Sequence, residues 1–248
     1  MASSFPFSEQ EIQDRVRSAV EEYWSIRLSQ AKRQRQTGKR DAGSRGEVTG
    51  GKQLNAFADL LSTIAKAAGF EDGEIFCGNN ELPVPGYYRA QKRWDFAVVR
   101  DGRLVAAAEF KSQGGSIGNN YPNRAEEVIG LARDFWVSYR EKVFGLSPQP
   151  WLGYFFLLED SEDSRHPVAL AKSPIPALGK FIGASYQDRY RILCEALVLE
   201  RDFTAASLLF SPRPERKGIV TFTEPIPELS TLPFCRSLFS HLAASANA

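Results

Sequence analysis

Hydrophobic and polar positions alternate along the chain in patterns that predict a mixed order of helices and strands. Ser8 and Glu11 form a capping-box pair, and Ile12, Val16, Val20 and Tyr23 follow at helical spacing. A first helix is therefore expected to run to about Ala31. Leu54, Phe57, Leu61, Ile64 and Ala68 mark a second helix, closed by Gly69 where a left-handed cap is favoured. A short strand near Glu74–Cys77 and a turn through Pro83 and Pro85 come next. Phe96–Arg100 and Arg103–Phe110 are apolar runs flanking Asp101-Gly102, the signature of a tight β-hairpin.

From Ser112 to Pro122 the sequence is polar and glycine-rich with no apolar period, so a loop is expected there. Asn123 then fits a helix N-cap, with Glu126 as its capping-box partner. Val128, Leu131, Ala132, Phe135 and Tyr139 give that helix its apolar face, and it should end by about Gly145. Trp151–Leu158 is a nearly unbroken apolar run, which suits a strand buried on both faces. Ser185 should cap a helix carrying Tyr190, Leu193, Leu197 and Val198. Strands are expected near 207–210 and 219–222, and a last helix over Phe234–Ala243. This order implies one α/β domain spanning residues 1–248, with a central mixed β-sheet flanked by helices.

Composition narrows the chemistry. The chain has 248 residues, 43% of them hydrophobic, enough for a sizeable core. No run approaches the length of a membrane span, and the N-terminus has no signal-peptide pattern, so a cytoplasmic protein is expected. Three scattered cysteines (Cys77, Cys194 and Cys235) offer neither a disulfide framework nor zinc spacing. With two histidines in the whole chain, a histidine-built metal site is poorly supported. Any metal would be a hard cation on oxygen ligands, such as Mg²⁺. The net charge is +1, but Lys32, Arg33, Arg35, Lys39, Arg40 and Arg45 crowd a stretch holding a single acid, Asp41. That segment, about 32–46, reads either as a solvated flexible loop or as a basic arm that orders on a phosphate backbone.

The hairpin carries the candidate chemistry. Glu109 and Lys111 are two residues apart on a strand, so their side chains leave the same face. Hairpin pairing can bring Asp95 beside them. Asp95, Glu109 and the Phe110 carbonyl could then hold a divalent cation, while Lys111 stabilises charge developing on an attacked phosphate. The plainer alternative is a surface salt bridge between Glu109 and Lys111 on an edge strand. Asn119, Asn120 and Arg124 have base-reading chemistry, although the two asparagines also suit turn geometry. Glu127 could support the metal site. Trp94, Trp136 and Trp151 lie within apolar periods and read as core.

Three segments together resemble a known family. Arg93-Trp94-Asp95-Phe96, Ala108-Glu109-Phe110-Lys111-Ser112 and the run from Gly118-Asn119-Asn120 to Glu126-Glu127 are similar to the XhoI-type type II restriction endonucleases, within the PD-(D/E)XK nuclease superfamily. Residues 82–89, 153–160 and 183–190 extend the resemblance over roughly residues 50–200. One departure is Trp94, where the superfamily pattern has proline. The resemblance implies a restriction-endonuclease-like core with Asp95, Glu109 and Lys111 as catalytic set. It implies a Mg²⁺-dependent homodimer that cuts double-stranded DNA at CTCGAG after the first C, leaving a 5′ overhang. A companion methyltransferase would protect the host. It also implies that a further acid could come from an early helix, where Glu47 and Asp59 stand. A repair nuclease on the same core, or a catalytically inert DNA-binding module, are the competing expectations.

Overall fold

The computed structural model describes residues 4–37, 53–215 and 219–246. Five strands form the central sheet in the order β1 (Ile75–Cys77), β4 (Phe96–Arg100), β5 (Arg103–Gln113), β6 (Trp151–Glu159), β7 (Ala205–Ser211). The first three are antiparallel neighbours; β5, β6 and β7 run parallel. Strands β2 (Pro83–Pro85) and β3 (Gln91–Arg93) form a separate two-stranded hairpin. The mixed sheet predicted from the chain is thus present.

Helices cover both faces. On one side α1 (Glu9–Thr37), α2 (Asn55–Ala67) and α6 (Thr231–Ala246) bury Val20, Phe57, Leu61 and Leu238 against Phe96, Phe110 and Phe155. On the other side α3 (Ile117–Arg140) and α5 (Tyr186–Leu199) bury Leu131, Phe135, Tyr190 and Leu197 against Ala107, Phe156 and Leu208. A single-turn helix, α4 (Glu162–Arg165), follows β6. Strand β6 lies between two parallel neighbours under both layers, and all but its last residue are buried. That is the environment its unbroken apolar run demands.

Local signals behave as their chemistry requires at most ends. Ser8 and Glu11 exchange capping bonds at 2.7 and 3.2 Å, and Ser185 and Asp188 do so at 3.0 and 3.1 Å. Gly69 takes φ +94 after α2. Asp101 and Gly102 have φ 52 and 71, the two positive values of a two-residue hairpin turn.

Four expectations are corrected. Helix α1 continues to Thr37, past Ala31 and into the basic segment. The segment expected as a loop over 112–122 is short: β5 runs to Gln113, and α3 begins at Ile117. Its N-cap is Ser116, in left-handed geometry, and Asn123 lies inside the helix, so Glu126 has no capping role there. Burial overrides propensity at this end. Ile117 is buried, and Tyr121 packs edge-on to Tyr190 at 5.2 Å, holding a turn that Pro122 would disfavour. The helix ends at Arg140, before Gly145 as expected. Around 219–222 the described residues form no strand; Thr223 makes an isolated bridge to Phe210 instead.

One surface pair outside the site has a measurable acid signature. Arg100 binds both Glu74 oxygens at 2.6 and 2.8 Å and lies 3.8 Å over the Phe70 ring. The guanidinium hydrogen bonds, with a backbone donor from Glu71, hold the Glu74 carboxyl down at about 2. A depressed folded-state pKa adds stability above the unfolded value, near 4.5, and loses it as pH falls towards 2. Glu74→Gln is expected to cost about 1 kcal/mol at pH 7, a partly exposed ion pair being screened by solvent, and nearly nothing at pH 2. Urea unfolding at the two pH values measures the difference.

Candidate active site

The site forms where β4 stops and β5 continues. The hairpin turn pairs Arg100 with Arg103 and Val99 with Leu104. Continued without interruption, that register would set Asp95 opposite Ala108. The register instead shifts by one: Val98 pairs with Ala106 and Phe96 with Ala108. Val105 is the extra residue of a β-bulge. Val105 and Ala106 both face the α1/α2/α6 layer, while Leu104 and Ala107 face the other. His241 on α6 meets the Val105 carbonyl at 3.1 Å. With the shift absorbed, Asp95 comes in line with Glu109.

Beyond Ala108 the β4 side of β5 has no strand partner. Asp95 takes over there: its Oδ2 accepts the Phe110 N–H at 2.7 Å. The N–H and C=O of one strand residue point to the same side, so the Phe110 carbonyl also faces Asp95. Glu109 and Lys111 project from the opposite-facing positions into a pocket of about 210 Å³ lined by Arg89, Lys92, Arg93, Glu127 and Leu131.

Within it, charges alternate. Glu109 is buried, with Lys111 Nζ at 2.5 Å from Oε1 and Lys92 Nζ at 2.7 Å from Oε2. Lys111 also reaches Glu127 at 3.3 Å, and Glu127 binds Arg124 at 2.6 Å. This rules out an edge-strand surface bridge: β5 is the middle strand of the sheet, and Glu109 is only 2% exposed. Burial and the Glu109 charge push the Asp95 carboxyl up to about 7, although Lys111, the Phe110 N–H and Lys92 pull it down. For Lys111, burial favours the neutral amine, but Glu109, Glu127 and Asp95 outweigh it and hold the ammonium above its ordinary value.

The donor set fits a divalent cation. Glu109 Oε2 is buried with the Lys92 ammonium 2.7 Å away, so positive charge is already favoured at that oxygen. A carboxyl as costly to ionise as Asp95 gains most from a cation beside it. Among the described residues no three Asp, Glu, His or Cys side chains gather at metal-binding spacing. A third protein oxygen is thus best sought in the Phe110 carbonyl.

Other candidates fall in varied places. Glu127 is at the site through Lys111. Arg124 donates to Glu127 through Nη1 at 2.6 Å, and Asn120 donates to the Ser116 carbonyl at 2.8 Å. Asn119 is exposed on the first turn. Asp59 lines a groove between α1 and α2 with Glu11, Asp14 and Arg15, among which none of the catalytic set appears. Lys39, Arg40, Arg45 and Glu47 lie outside the described residues. Of the tryptophans expected in the core, Trp94 and Trp151 are buried and Trp136 is half-buried. Sequence reasoning missed Lys92; its signal was the alternation Lys92-x-Trp94, since the ammonium sits 5.0 Å over the Trp94 ring.

An apolar-cored mixed sheet flanked by helices, with an acid and a Glu-x-Lys pair at the end of its antiparallel hairpin, is consistent with a restriction-endonuclease-like core. Comparison with known proteins gives the same class. The family model described as "Restriction endonuclease XhoI" matches residues 33–222. The type II restriction enzyme BstVI of Geobacillus stearothermophilus is 43% identical over 220 residues, 86% of this chain and 96% of that enzyme. The type II restriction enzyme XhoI of Xanthomonas vasicola is 37% identical over 202 residues, 81% of this chain and 77% of that enzyme. AbrI of Azospirillum brasilense is 43% identical over 151 residues, 60% of this chain and 68% of that enzyme. No solved structure matches the chain significantly. The chain belongs to the XhoI restriction endonuclease family and is a type II restriction enzyme, a site-specific deoxyribonuclease.

The raised Asp95 pKa has a sign that can be tested without DNA. A folded-state carboxyl near 7 penalises folding increasingly as pH rises from its unfolded value near 3.8, fully above 7. Asp95→Asn, measured with chelator present, is expected to raise the thermal midpoint at pH 8 and to raise it less at pH 5. An equal shift at both values would remove the buried-charge account.

Proposed function

We propose that the protein is a Mg²⁺-dependent homodimeric endonuclease that cuts both strands of a palindrome, CTCGAG, after the first C to leave a 5′ overhang. The observation that carries the chemistry is the buried Glu109–Lys111 pair with Asp95 brought in line by the Val105 bulge. The site sequence is what the resemblance to the XhoI-type family implies. A palindrome offers two identical half-sites, which a two-fold dimer meets with one surface used twice. A host methyltransferase that protects the same sequence belongs with this reading. No helix among the described residues is long and apolar enough to cross a membrane. The proposed substrate, cellular DNA, would place the enzyme in the cytoplasm.

Asp95, Glu109 and the Phe110 carbonyl would hold the cation. When bound, the cation neutralises charge on the attacked phosphate and makes a nearby water more acidic. Lys111, held charged by three carboxylates, donates to the phosphate oxygen on which negative charge grows. Glu127 keeps the Lys111 ammonium aimed into the pocket. Arg89, Lys92 and Arg93 line the same pocket and draw the phosphodiester to it.

Plasmid incubated with protein and Mg²⁺ should give discrete fragments whose mapped ends share CTCGAG. Nicking confined to junctions would point to repair, and retardation without cutting to a binding module. Lys111→Ala is expected to keep specific DNA binding in Ca²⁺ and to lower single-turnover cleavage by at least about 100-fold, since it removes one transition-state donor. Wild type should bind but not turn over in Ca²⁺, whose coordination is larger and looser. Cleavage at equal rates in both ions would remove the metal-assisted account.

A further inference from the structure

The β2–β3 hairpin is organised around a carboxylate that cleavage does not use. Asp134 on α3 is 6% exposed. Its Oδ1 accepts the Tyr87 and Tyr88 backbone N–H groups at 3.0 and 2.8 Å, and its Oδ2 accepts Arg89 Nε at 2.8 Å. Burial raises the Asp134 carboxyl, but these donors more than offset it and keep the group anionic. Gly86 makes the arrangement possible: a Cβ there would stand 2.7 Å from the Arg89 carbonyl and 2.8 Å from Asp134 Oδ2. A buried charge thus fixes both the backbone and one side chain of a surface turn.

What the turn presents is aromatic. Tyr87 and Tyr88 are 53% and 64% exposed, with their rings edge to face at 4.9 Å. Neither hydroxyl has a hydrogen-bond partner among the described residues. The Asp134 hydrogen bonds hold the tip, which lowers the entropy lost when its exposed rings meet a partner. The surroundings specify the partner. From Leu82 to Trp94 the hairpin carries Arg89, Lys92 and Arg93 and no acid. Those three cations line the pocket that holds Glu109 and Lys111. A ligand that takes cations in that pocket and apolar rings just beyond it is a nucleic-acid duplex, with phosphates for the first and sugar and base edges for the second.

We propose that the Tyr87–Tyr88 tip, held by Asp134, is a duplex-DNA contact that seats the scissile strand in the pocket. The two rings rest on sugar and base surface, while Arg93 on the flanking strand contacts phosphate. This rests on the nuclease reading above and adds a residue-level surface to it.

The test uses full-length protein and a short duplex carrying the sequence at which wild type cuts plasmid. Binding is measured in Ca²⁺ over a range of salt, and single-turnover cleavage in Mg²⁺. The double variant Tyr87→Ala/Tyr88→Ala should bind about tenfold more weakly or worse, with its salt slope unchanged, because rings rather than charges are lost. The double Phe variant should bind like wild type. Arg93→Ala should lower the salt slope by about one. Both tyrosines are exposed, so thermal midpoints should stay at the wild-type value. Wild-type affinity and cleavage in the double Ala variant overturn the proposal. So does a weakened variant that sediments as a smaller species than wild type, which would assign the tip to contact between two copies. A wild-type protein that neither binds nor cuts DNA removes the nuclease reading itself, and the tip with it.

Discussion

One extra residue in a strand sets the geometry on which the site depends. The Asp101-Gly102 turn fixes the start of the β4–β5 pairing, and a regular ladder from that turn would leave Asp95 one residue out of line with Glu109. In a structure of period two, an error of one residue is an error of face. The bulge at Val105 absorbs the difference, and α6 supports it through His241. The helical layer remote from the catalytic pocket therefore helps to hold the strand phase that builds it.

Once in line, the two carboxylates are uncomfortable neighbours. Asp95 is driven up by burial and by the Glu109 charge, and Glu109 itself is almost without solvent. The protein balances them with an alternating series, Lys92, Glu109, Lys111, Glu127 and Arg124. Each member is held by opposite charge on the next, so the series positions Lys111 as well as neutralising it. The raised Asp95 carboxyl beside Glu109 favours a cation at that edge, while Lys92, Lys111 and Arg124 leave the rest of the series suited to a phosphate.

Helix α3 ties these parts together. Leu131 and Phe135 anchor it on the sheet, Glu127 reaches Lys111, and Asp134 fixes the hairpin tip. Its early start explains the compactness of the arrangement. With the helix beginning at Ile117, Glu127 lies three turns in, on the face that passes over the end of β5. A helix begun at Asn123 would put the same residue in its first turn.

Much of the fold was legible along the chain because local signals and burial agreed. The helix caps at Ser8 and Ser185, the Asp101-Gly102 turn, the doubly buried Trp151–Leu158 run and the shared face of Glu109 and Lys111 all follow from period and capping chemistry. The start of α3 was not legible, because the packing of Ile117 and Tyr121 outweighs the local preferences of glycine, asparagine and proline. Nor was Lys92, whose role appears only when a separate hairpin folds beside β5. The sequence by itself determined which residues could do the chemistry and that two of them leave one strand face. Only the tertiary structure decided that Asp95 joins them. Leu104–Ala108 is buried on both faces, so its apolar run carries no alternation to set the phase, and helices packed from outside the hairpin had to choose it.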